Sequence, residues 1–205
     1  MNIGWALLMK AFRRYVLPNV VLGATALVWL GSIARATAAA GFDTRAIAFV
    51  NLYRDTCMNH LNKPAALRSD LEGQGWRPVS SQYASFFLQG KPGRTWAMAK
   101  SGGNFVVALR DDGICAVFAR SAKQNDVELF FNALVRSTEA AGLPTERRPD
   151  KVLQTPNGPV RYTSYVQGKP ESTVRISLVL STTSSTTASI QAMATLSLVR
   201  AARPQ

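Results

Sequence analysis

Cys57, His60 and Cys115 are the residues with the most chemical potential in this 205-residue chain, whose only cysteines and only histidine they are. Cys57 and His60 are three residues apart, so one helical turn would bring both side chains to the same side. Cys115 could approach them from another element. Three chemistries fit such a set. Two thiols in an oxidising compartment join as a disulfide. Thiolates and an imidazole are zinc ligands, although Cys-x-x-His with one distant cysteine leaves a closed tetrahedral site one ligand short. A cysteine beside a histidine is a nucleophile with its base, the core of a thiol-dependent hydrolase, but no third residue is at hand to orient His60. The even cysteine count favours the disulfide. Its 58-residue separation makes it worth about 4 kcal/mol in the chain-entropy model. We therefore expect Cys57 and Cys115 to pair, and His60 to be a polar residue near a helix end.

The remaining motifs are weaker. No Gly-x-Ser-x-Gly elbow occurs, and any serine triad would have to use His60. GKPGRT, residues 90–95, lacks the spacing of a phosphate loop and reads as a turn. Asp111-Asp112 precedes Gly113 and is explained by turn chemistry. Asp70 with Glu72, and Asp126 with Glu128, are i, i+2 pairs that a helix points to different sides, which suggests solvated faces. No catalytic residue, metal site or cofactor is assigned. Trp76, Tyr83, Phe86 and Phe87 flank the change from helices to strands and are the candidate binding surface; helical spacing also suits them to a core.

The N-terminus bounds where such residues work. Lys10, Arg13 and Arg14 precede an apolar stretch from Tyr15 to Ile33, and small residues follow at Ala36-Thr37-Ala38 and Ala38-Ala39-Ala40. That order is a secretory signal peptide over residues 1–40, cleaved after Ala38 or Ala40. The alternative is retention, since residues 15–33 are long enough for a tilted membrane span. Pro18, Asn19, Gly23, Thr25 and Gly31 weaken that span. Phe12 stands where a twin-arginine signal wants Ser or Thr, so Arg13-Arg14 read as ordinary leader charge. Met9 would begin a more usual leader than Met1.

Without residues 1–40 the chain has 20 Lys+Arg against 12 Asp+Glu, a net charge of +8. The basic residues are scattered, so a specific nucleic-acid footprint is missing. Such charge in an exported protein suits an anionic envelope component or a protein partner. Membrane contact is expected only through the N-terminal segment.

Residues 41–205 suffice for one domain. Asp43 is a good N-cap, and Ala46, Val50, Tyr53 and Cys57 form the stripe of a helix reaching about Asn59. Pro64 opens a second helix carrying Leu67 and Leu71, and Ser80 to Leu88 a short third. Residues 95–120 then read as three strands. Asp112-Gly113 fits a two-residue turn pairing Arg110 with Cys115. That register puts Phe105, Val107, Leu109, Ile114, Ala116 and Phe118 on one face, and Val106, Ala108, Arg110, Cys115, Val117 and Ala119 on the other. A helix opens at Asn125 or Asp126 and stops at Gly142 and Pro144. Pro156-Asn157-Gly158 marks a hairpin, and two alternating strands carry Val174 to Leu180 and Ile190 to Leu198. The fold class is α+β: a mainly antiparallel sheet of six or seven strands with helices packed on one face.

The run from AFVNLYRDTC through LEGQGWRP to GGNFVVALRDDGICAVFAR resembles a family of exported bacterial proteins and lipoproteins of unknown function, over about Phe49 to Leu198. The resemblance implies export and no particular activity. No cysteine lies near the cleavage site, which departs from the lipoprotein members. The expected function is a non-enzymatic periplasmic or secreted binding or accessory module. The competing readings are a thiol-dependent hydrolase using Cys57 or Cys115 with His60, and a structural component anchored in the inner membrane by residues 15–33.

Overall fold

The computed structural model describes residues 41–200. The segment read as a leader or span, residues 1–40 with its apolar stretch 15–33, and residues 201–205 lie outside the described residues. Asp43 opens the first helix, α1 (Thr44–Tyr53), by accepting the Arg45 amide at 3.0 Å. A π-helical turn, Arg54–Met58, continues it, closed by the Asn59 amide on the Arg54 carbonyl at 3.0 Å. Pro64 fixes the start of α2 (Pro64–Gly73). A two-residue strand β1 (Arg77–Pro78) and a short helix α3 (Ser81–Leu88) follow. Next come β2 (Gly93–Lys100), β3 (Gly103–Arg110) and β4 (Cys115–Ala119), then the long helix α4 (Gln124–Ala140). The chain ends in β5 (Thr145–Arg147), β6 (Lys151–Thr155), β7 (Gly158–Gln167), β8 (Val174–Thr182) and β9 (Ala192–Arg200).

Among the described residues nine strands form one antiparallel sheet in the order β1-β2-β3-β4-β9-β8-β7-β5, with β6 also paired to β7. The fold is α+β, with more strands than the six or seven expected. The extra ones are β1, which contains a proline, and β5, the polar Thr-Glu-Arg, neither of which alternates. Two three-strand meanders, β2-β3-β4 and β7-β8-β9, meet through β4 and β9.

The hairpin between β3 and β4 differs from expectation by one residue. Leu109, and not Arg110, pairs with Cys115. The Arg110 amide donates to the Ile114 carbonyl at 2.9 Å and the Gly113 amide to the Arg110 carbonyl at 3.0 Å. Gly113 has φ of +87°, the left-handed position that completes a three-residue loop. Arg110 also grips Asp112 through its Nε at 3.1 Å. Because side chains alternate, this slip exchanges the faces. Phe105, Val107, Leu109, Cys115, Val117 and Ala119 lie together in the main core, while Ala108, Ala116 and Phe118 belong to a second cluster.

The main core fills the space between the sheet and α1, α2 and α4, with Phe49, Tyr53, Leu67, Trp96, Phe131 and Leu178 fully enclosed. Tyr53 donates its hydroxyl to the Thr195 carbonyl at 3.0 Å, and its burial pushes the phenol pKa upward. The second cluster lies on the opposite face, where α3 contributes Leu88, Ala84 and Phe87. Helices therefore cover both faces, three on one side and α3 on the other, a departure from the one-faced arrangement expected.

The two long helices are tied at their N-termini. The Asp43 carboxylate accepts the Lys123 amide at 2.7 Å, and the Asp126 carboxylate accepts the Asp43 amide at 2.8 Å. Asp126 is thus buried and does structural work, and Glu128 is bonded to Thr182 at 2.7 Å and Gln124 at 2.8 Å; neither is the solvated face expected of the pair. Burial pushes the Asp43 carboxyl pKa up, but hydrogen bonds from the Arg45 side chain and from the Lys123 and Arg45 amides outweigh it. The folded value lies below the ordinary 3.8. Its stabilisation is therefore present above that value and lost as pH falls through the folded pKa. Asp43→Ala should cost about 1–2 kcal/mol at neutral pH. Asp43→Asn, which retains a cap, should flatten the acid limb of a denaturant-midpoint titration; an unchanged limb would show that Asp43 does not contribute to it.

Candidate functional site

The π-helical turn carries Cys57 over β4 and β9, where Cys57 and Cys115 form a disulfide with Cα atoms 5.4 Å apart. No cysteine is free among the described residues. With both sulfurs in that bond, neither is available as a thiolate nucleophile or ligand. His60 shares a pocket of about 260 Å³ with both cysteines, yet its ring engages elsewhere. Nδ1 lies 3.1 and 3.0 Å from the Asp55 and Thr56 carbonyl oxygens, and Nε2 lies 2.7 Å from Asp70 Oδ2. His60 therefore ties the end of the first helix to α2. Among the described residues no three His, Cys, Asp or Glu side chains form a metal-binding group. Asp111 pairs with Arg68 of α2 at 3.1 Å, a contact beyond the turn chemistry expected of it.

The aromatic candidates divide. Trp76 is buried in the main core, on the other face of the sheet from Tyr83, Phe86 and Phe87. Those three line a groove of about 870 Å³ between α3 and the second face of the sheet. The sequence brings them there simply. On α3, Ala84, Phe87 and Leu88 turn toward the sheet, which leaves Tyr83 and Phe86 at the groove wall, 63 % and 65 % exposed. Phe87 packs edge-on against Phe118 (centroids 5.1 Å apart), and Phe86 edge-on against Phe87 (5.2 Å). An aromatic column thus climbs from the sheet to the surface.

The floor follows from alternation in β2 and β3. Ala97 pairs with Val106 and Ala99 with Asn104, and Val106 pairs with Phe118. Two alanines against larger neighbours make a depression. Ser189 and Ile190 close the far side. Gln191 holds them there: its amide donates to the Ala119 carbonyl at 3.0 Å, and its Oε1 accepts the Ala122 amide at 3.1 Å.

Two arginines complete the site. Arg77 stands opposite Ala97 on β1, and Arg120 continues β4, its amide donating to the Asn104 carbonyl at 3.1 Å. Both are exposed and line the groove. Neither has an ion-pair partner among the described residues. Three strand spacings, about 14 Å across the sheet, lie between their strands, and Arg120 is two residues further along than Phe118, which is level with Arg77. Sequence reasoning missed Arg77, Arg120 and the floor. The signal for the floor was the alternation of Thr95, Ala97 and Ala99 against Trp96 and Met98, which marks one face of β2 as small. Nothing local to Arg77 or Arg120 distinguishes them from the other scattered basic residues.

What this arrangement offers is recognition: an apolar trough with an aromatic wall and unpaired positive charge at its rim, of the size usual for ligand clefts. No helix among the described residues is long and apolar enough to cross a membrane. No protein-family model, curated protein or solved structure matches the chain.

Proposed function

We propose that the chain is an exported, non-enzymatic binding module, acting in the periplasm or outside the cell, and that it recognises an envelope component or protein partner through the groove beneath α3. The observation that carries this reading is the groove itself, which places solvent-facing Tyr83 and Phe86 beside Arg77 and Arg120. Exposed aromatic surface beside unpaired arginine is the composition of contact sites. The disulfide supports the oxidising compartment, and the leader-like order of residues 1–40 supports the route there.

The test is capture from envelope extract by the natural chain and by a Phe86→Asp variant, with circular dichroism confirming that both are folded. The expected result is one species retained by the natural chain, released by salt and absent with the variant. Equal retention by both would remove the groove from the function. Export is read separately by intact mass on protein recovered from the producing cell without reductant. A start at Ala39 or Gly41 is expected, with the two hydrogens of one disulfide missing. A full-length mass would instead make residues 15–33 a span that holds the same module at the inner membrane.

A further inference from the structure

We infer that the groove binds a single-chain anionic amphiphile, its acid head at Arg120 and its hydrocarbon chain along the floor beneath α3. This rests on the binding-module reading and names its ligand class.

Polarity within the groove is uneven. Arg120, Asn104 and Ser189 gather at one end, where Arg120 and Asn104 sit on neighbouring strands and Ser189 is held close by the Gln191 contacts to Ala119 and Ala122. From there the floor runs over Val106 and Phe118 to Ala97, under Phe86 and Phe87, and is apolar up to Arg77, which stands across from Ala97 at the far rim. An anion at the polar end meets an unpaired guanidinium, which can engage a carboxylate or phosphate with two parallel hydrogen bonds. Between Arg120 and the far rim at Arg77, the body of the ligand must then cross a floor of Val106, Phe118 and Ala97 that offers no side-chain partner for polar atoms. A peptide fails that condition, because every residue brings an amide and a carbonyl that need hydrogen bonds. The floor strands cannot supply them, since the backbones of β2, β3 and β4 are paired with one another. A hydrocarbon chain has no such demand. Charge complementarity selects the head group, and the want of polar partners selects the tail.

The experiment is calorimetric titration of the protein, as recovered from the producing cell, with octanoate, decanoate and dodecanoate below their micelle concentrations. Dodecylamine is the control of opposite charge. Each methylene taken out of water should tighten binding about fourfold, so affinity should rise about 16-fold for each two-carbon step until the floor is filled. Arg120→Gln should weaken dodecanoate about tenfold and leave the chain-length slope unchanged. Phe86→Ala should reduce the slope. Dodecylamine should bind at least tenfold more weakly than dodecanoate.

Affinity independent of chain length would overturn the inference, as would equal binding of dodecylamine or no alkanoate binding at millimolar concentration. Should alkanoates fail while Phe86→Asp still abolishes capture from envelope extract, the ligand assignment falls and the binding module stands. If both experiments fail, both readings fall together.

Discussion

Replacing Cys57 and Cys115 together by alanine is expected to cost about 4 kcal/mol and to lower the thermal midpoint by roughly 8–16 °C. The bond joins residues 58 apart; in the chain-entropy model that separation sets how much freedom the unfolded chain loses. Both residues are buried, Cys57 over the sheet and Cys115 within it, so alanine is the replacement that brings no new polar group into the core. Thermal unfolding with and without reductant is the matching measurement on the natural chain. Midpoints that differ by less than about 2 °C would show that the packing around α1 holds this region by itself.

Phe131→Ala should cost about 3–5 kcal/mol, the range for removing a fully enclosed ring. Phe131 sits on the buried stripe of α4 with Val127 and Val135. Its ring lies between Tyr53 and Tyr165, with centroids 5.6 and 6.3 Å away. Both neighbours are fixed by their hydroxyls, Tyr53 on the Thr195 carbonyl and Tyr165 on Asn132 at 2.6 Å. Neither can move into the void without breaking a bond, so the cavity stays. Phe86→Ala is the contrasting change: the ring is largely exposed, and its loss should leave stability within about 0.5 kcal/mol. Urea midpoints of the two variants check both values. A Phe86→Ala midpoint as low as that of Phe131→Ala would mean that the groove wall is structural.

The elements were legible where local chemistry is decisive. Asp43 as a cap and Pro64 at the first turn of α2 each have one physical reading, and the structure places them accordingly. The short helix at residues 81–88 and the disulfide were also within reach. The register of the β3–β4 hairpin was not, because Asp-Gly suits a two-residue turn as well as the end of a three-residue one. The three-residue loop goes with the burial of Leu109, Cys115 and Val117 in one cluster and of Ala108, Ala116 and Phe118 in the other, a pattern that spans the whole sheet. The groove was half legible for the same reason. Its aromatic wall lies in one eight-residue helix and could be suspected, whereas its arginines come from β1 and from the residue after β4 and meet only across three strands. Trp76 misled because an aromatic beside a helix end serves a core as readily as a surface.

The order of elements has a consequence for biogenesis. Both cysteines precede α4, so the covalent link can close while the second meander is still being made, since chains emerge from the N-terminus onward. The first meander pairs only neighbours in sequence and forms early on that ground. What then waits for its partner is β4, Cys-Ala-Val-Phe-Ala, buried at every position in the finished fold and exposed as an open edge until β9 arrives. An oxidised half-molecule with an unpaired apolar edge is a template for pairing with another chain. Aggregation during production should therefore track the time between closure of the Cys57–Cys115 link and arrival of the last strand, and substitutions that slow β9 should lower yield more than their cost to the finished fold.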